Sequence, residues 1–83
     1  ETLTWDARLN ALWPEVVTLA DERGLGDSLL AAQQAWLGYR DANCAHVAAT
    51  AATQGGEAAW AEQACLSDMT AERVIDFRVL LAG

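Results

Sequence analysis

Eighty-three residues suffice for one small domain and not for two, and a chain this short often needs a covalent staple. Hydrophobic residues make up 53 % of it, but many are alanine, so four tryptophans must carry a disproportionate share of the core. Five arginines and no lysine face twelve carboxylates, a formal charge of −7, which argues against nucleic acid and anionic membrane surfaces as partners and favours basic ones.

Trp5, Leu9, Leu12, Val16 and Leu19 recur at steps of four and three, and Trp13, Val17 and Ala20 widen the stripe. This predicts an amphipathic helix over roughly 4 to 23, with Thr4 as its N-cap and Asp6 in its first turn. Pro14 interrupts it, but the apolar register continues through the proline, which favours one bent helix over two short ones. Arg23-Gly24-Leu25-Gly26-Asp27 is a stop and restart, with Gly24 suited to the left-handed position after a helix and Asp27 or Ser28 able to cap the next one.

A second helix is expected from about Asp27 to Thr53. Along it Leu29, Gln33, Trp36, Arg40, Cys44, Val47 and Ala51 form one stripe, which mixes an aromatic, a cation and a thiol. Gln54-Gly55-Gly56 breaks the chain again, and Glu57 to about Ala82 reads as a third helix with Cys65, Leu66, Met69, Arg73, Phe77 and Leu80 in line. No segment alternates as a strand would. The expected fold is all-α: one three-helix domain over 1–83, its second and third helices forming a long antiparallel hairpin.

Counting across that hairpin tests the cysteines. With the turn between Gln54 and Gly55, Cys44 lies as far before it as Cys65 lies after it. Antiparallel helices rise equally per residue, so the two thiols sit at one height, on the inward stripes. A Cys44–Cys65 disulfide is therefore expected, contributing about 3 kcal/mol in the chain-entropy account. A bridge of this kind belongs in an oxidising compartment; two free thiols in a reducing one is the alternative it displaces.

The same count sets Trp36 against Arg73, Arg40 against Met69, Gln33 against Asp76 and Leu29 against Leu80. Trp36 and Arg73 are then placed for a cation–π contact. Arg40 on a half-buried stripe needs an acceptor, with Glu72 and the Thr70 hydroxyl nearest in height. Trp36, Arg40, Thr70 and Arg73 are thus expected to clamp the hairpin.

Catalytic chemistry has little to stand on. His46, the single histidine, falls about 200° round the helix from Cys44, too far for a shared metal or a thiol–imidazole pair. Carboxylate pairs such as Asp21 with Glu22, Glu57 with Glu62 and Asp68 with Glu72 are what any acidic helix offers, and no phosphate loop or nucleophile motif is present. No enzyme activity, metal or cofactor is expected.

The string Gln33-x-Ala35-Trp36-Leu37-x-Tyr39-Arg40-Asp41-Ala42-x-Cys44 is followed by Gly55-Gly56, Cys65-Leu66 and Thr70-x-x-Arg73. At this spacing it resembles the LprI-type lysozyme inhibitor family of bacterial envelope proteins. Leu9-Asn10-x-x-Trp13 is similar to the family's first-helix motif, with tryptophan where tyrosine is common, so the resemblance spans about residues 9 to 80. It implies a small helical protein, exported as a periplasmic protein or lipoprotein, that inhibits lysozyme. Members often carry further cysteines before the first helix; this chain has none. The matched residues are scaffold types, so the resemblance names no lysozyme-contacting position.

The expected partner is a basic, lysozyme-like muramidase, steered toward an acidic inhibitor. The element best placed to enter a cleft is the turn, Gln54, Gly55, Gly56 and Glu57. Two other readings are an immunity protein against a wall-degrading toxin and a non-catalytic interaction or sensor module of the envelope. Trp60, beside the Cys65 face, or Trp13 would mark a partner surface if exposed. No apolar run approaches the ~20 residues of a membrane span. The opening at Glu1-Thr2-Leu3 is what a mature or trimmed chain would show.

Overall fold

Two glycine turns divide the chain into three helices: α1 (Thr2–Glu22), α2 (Gly26–Thr53) and α3 (Ala58–Ala82). The computed structural model describes the backbone of residues 2–83 and the side chains of residues 4–83, and no strand occurs among them. Both turns are built alike. At the first, the Leu25 N–H donates to the Ala20 carbonyl at 2.7 Å and the Gly24 N–H to that of Asp21 at 3.1 Å. At the second, Gly56 donates to Ala51 at 2.8 Å and Gly55 to Ala52 at 3.2 Å. These are Schellman closures, which satisfy the last helical carbonyls and require a left-handed residue. Gly24 and Gly55 supply it, with φ of +72° and +78°.

α1 runs through Pro14 without a break. Pro14 and Asn10, whose carbonyl the missing N–H would have met, are both exposed, so water can replace the lost bond. The expected caps shift. α1 begins at Thr2, so Thr4 lies inside it and Asp6 beyond its first turn. α2 begins at Gly26 behind Leu25, whose side chain caps nothing; Asp27 falls within the first turn, where its charge suits the helix dipole.

The core lies between α1 and α3. Leu9 and Val16 meet Val74 and Phe77, with Trp5, Leu12, Trp13, Leu29, Trp36 and Leu81 packed around them. Trp13 and Phe77 tilt against each other with ring centroids 5.9 Å apart. α3 packs along both other helices, whereas α1 and α2 touch little. α3 therefore buries Thr70 and Val74, and half-buries Leu81, beside the predicted stripe, of which Phe77 is fully buried. Leu80, on the predicted stripe, is 46 % exposed.

The α2–α3 hairpin is antiparallel and stapled by the Cys44–Cys65 disulfide, with Cα atoms 5.4 Å apart. The molecule is long, 49 × 21 × 17 Å. Asp6, near the start of α1, pairs with Arg40, one turn short of Cys44. The described part of α1 begins one turn before Asp6, at about the level of the disulfide. The rest of the hairpin, residues 45–64, projects as a two-helix prong about 14 Å long at 1.5 Å per residue. No helix of the described chain is long and apolar enough to cross a membrane.

Candidate functional site

Two places stand out along the hairpin, a polar layer inside the body and the surface of the prong. The polar layer begins with Trp36, which α2 turns toward α3. The Arg40 guanidinium lies 5.2 Å from its ring centroid and the Arg73 guanidinium 5.8 Å, so the indole is flanked by two cations. Arg73 also lies 4.9 Å from the Phe77 ring. Its Nε donates to Gln33 Oε1 at 3.0 Å, and its Nη1 faces Asp76 at 3.5 Å. Gln33 is buried on a stripe otherwise suited to apolar residues because it supplies that acceptor.

Arg40 is held from three sides. Nη1 donates to Thr70 Oγ1 at 3.2 Å and to Asp6 at 3.4 Å, and Asp41 receives Nε and Nη2, each at 3.0 Å. Thr70 is fully buried, and its hydroxyl is satisfied by this cation. The carboxylates around Arg40 are Asp6 and Asp41; Glu72, expected beside Thr70, is exposed and takes no part. Among the described residues no buried side-chain polar atom lacks a partner. The layer is complete in itself, and the described residues hold no cluster of metal-ligating side chains.

The disulfide marks the boundary between body and prong. Asn43 Nδ2 donates to Met69 Sδ at 3.4 Å and approaches Cys65 Sγ at 3.7 Å, while Met69 Sδ lies 3.7 Å from Cys44 Sγ. This sulfur-rich layer is soft and apolar. Cys44 is fully buried in it and Cys65 partly so. His46 is exposed on α2.

Beyond it the surface changes. Gln54, Gly55, Gly56 and Glu57 form the exposed end of the prong, remote from the Arg40 and Arg73 layer. Trp60, one turn into α3, is 72 % exposed, the most of any large apolar side chain described. It borders an open groove lined by Val47, Ala61, Ala64, Cys65, Asp68 and Met69. A second hollow, at the opposite end of the body, lies among Val16, Leu19, Leu25, Leu29, Leu80 and Arg23.

Of the predicted residues, Trp36, Arg40, Thr70 and Arg73 come together, and the four turn residues stand apart from them. Asp6 and Asn43 complete these contacts without any signal in the α2 or α3 motifs, because both depend on how helices dock. Trp60 could be flagged from sequence only by its position beside the Cys65 face.

Residues 1–77 match the family described as lysozyme inhibitor LprI. Comparison with curated proteins and with solved structures finds no match.

Proposed function

This chain belongs to the lysozyme inhibitor LprI family, and on that premise we propose that it binds and blocks a peptidoglycan-cleaving muramidase of the bacterial envelope. The observation that carries the proposal is the extent of the family match, residues 1–77 of 83. Blocking by occupation needs a rigid projecting element and no catalytic group. The stapled prong has that shape, and Gln54, Gly55, Gly56 and Glu57 at its end are the proposed leading contacts. Trp36, Arg40, Thr70 and Arg73 have the role of scaffold, holding the hairpin straight behind the prong.

The compartment follows from the same chemistry. A disulfide that closes the base of the prong persists outside the reducing cytosol. An acidic surface suits a target that is itself basic. We place the protein among exported envelope proteins, either periplasmic or lipid-anchored, acting as a binder and not as an enzyme.

The test is protection of cell walls from lysis. Oxidised protein at micromolar concentration should slow the clearing of a bacterial wall suspension by basic lysozymes. Full-rate lysis by every lysozyme of a panel spanning the major structural types would overturn the proposal.

A further inference from the structure

We infer that the Trp60 groove on the prong is the docking surface, and that it takes an arginine or lysine side chain from the basic face of a protein partner. The inference deepens the proposed inhibition and rests on it for the class of partner. It starts from the distribution of charge. Between Arg40 and Arg73 the chain has no arginine or lysine and five carboxylates, Asp41, Glu57, Glu62, Asp68 and Glu72, a net −5. The remaining residues set seven carboxylates against all five arginines, a net −2. Five of the seven excess negative charges therefore lie on the hairpin around and beyond the disulfide. The ion pairs among the described residues involve Asp6, Asp41 and Asp76, leaving Glu57, Glu62 and Asp68 of this segment outside them.

Trp60 sits within that field. Trp5, Trp13 and Trp36 pack against the core, while Trp60 is 72 % exposed. An exposed indole has an apolar area to bury and a π face that attracts cations. Ala61 and Ala64 keep the groove beside it open, and Asp68 stands at its edge. Ala61, Ala64 and Asp68 succeed one another at steps of three and four along one face of α3, so Asp68 lines the groove, and Glu57 stands at the start of the same helix. A guanidinium laid on Trp60 would have a carboxylate in reach, an arrangement the chain already uses inside its body. There Arg40 lies over Trp36 and pairs with Asp6.

Cys65 lines the groove, so the disulfide fixes the surface before any partner arrives and lowers the ordering cost of binding. Prong-to-prong pairing of two copies would bring like charge together, which disfavours self-association as the occupant.

The experiment titrates 15N-labelled oxidised protein with a basic lysozyme and measures wall lysis in parallel. Trp60→Ala and Asp68→Asn are compared with Glu15→Gln on the exposed side of α1. Amide shifts should concentrate in residues 45–68. Trp60→Ala should weaken binding by about tenfold or more, as loss of an aromatic anchor does, while Glu15→Gln stays within about twofold. Adding salt should weaken the wild type more than Asp68→Asn. Lysozyme bound at the groove with lysis unaffected would support this surface and overturn the inhibitory role. Inhibition with normal affinity in Trp60→Ala and Asp68→Asn would overturn the groove and leave the inhibitory role standing. No binding and no inhibition across the panel would overturn both. Sedimentation showing a dimer that buries Trp60 would assign the groove to a second copy instead.

Discussion

In the body, Leu9, Val16, Val74 and Phe77 are closed in by side chains from three helices, and Phe77 and Val74 have no exposed surface at all. Past Cys44 and Cys65 no described residue of α1 covers the hairpin. Nine of the twenty residues from Ala45 to Ala64 are alanine, and none of the twenty is fully buried. Two alanine-rich helices cannot enclose a core, because each leaves most of its surface in water and alanine contributes little apolar area. The covalent link at the base stands in for the missing packing. What the prong lacks in core it has in free surface: an open groove, an exposed indole and unneutralised carboxylates. The fully buried packing lies at one end of the hairpin, and the surface we propose for binding at the other.

Substitutions can break or sharpen that contrast. The largest expected effect is in the body: Phe77→Ala should cost about 3 to 5 kcal/mol. Urea denaturation followed by circular dichroism would measure it, and a cost no larger than that of a surface change would mean the body is not held by packing. Next comes the staple. Replacing Cys44 and Cys65 by serine should remove about 3 kcal/mol. Hydrogen exchange should then show the amides of residues 45–64 losing more protection than those of 70–80; a uniform loss would erase the distinction between the two ends.

A smaller effect is expected in the polar layer. Gln33→Leu leaves the Arg73 Nε without its acceptor and should cost about 1 to 3 kcal/mol, the range for an orphaned buried donor. Thermal denaturation would resolve it, and an unchanged midpoint would show that Asp76 or water takes over the bond. The smallest belongs to the prong: Trp60→Ala should change stability by less than about 0.5 kcal/mol, because the ring is already in water. A large destabilisation would mean that the indole is part of the fold and not of a free surface.

Much of the hairpin was legible from residue order. The α2 stripe is buried or half-buried along its whole length, from Leu29 to Ala51. The pairing of Cys44 with Cys65 followed from equal distance to the glycine turn. The contact of Trp36 with Arg73 came from the same count. The position of α1 was not legible in this way. Its periodicity shows which of its own faces is apolar, but not which side of α3 that face covers. Asp6 is therefore a partner of Arg40 that no motif announces, and Glu72 is nearer in sequence height but points to water. Thr70 and Val74 were left off the predicted α3 stripe for a related reason. A helix buried against two neighbours has a wide inner face, and a threonine within it does not read as core until a cation is found to satisfy it.

Residue order alone determined three helices, two glycine turns, one disulfide and an acidic balance, since each depends on local periodicity, on the conformational freedom of glycine or on simple counting. Tertiary structure decided that α3, and not α2, is the helix the other two share. It also decided that the described start of α1 lies about level with the disulfide. That level depends on the docking of α1 along α3, a sum of many weak contacts with no single residue to announce it. It divides the hairpin into a packed body and a bare prong, and leaves Trp60 facing water.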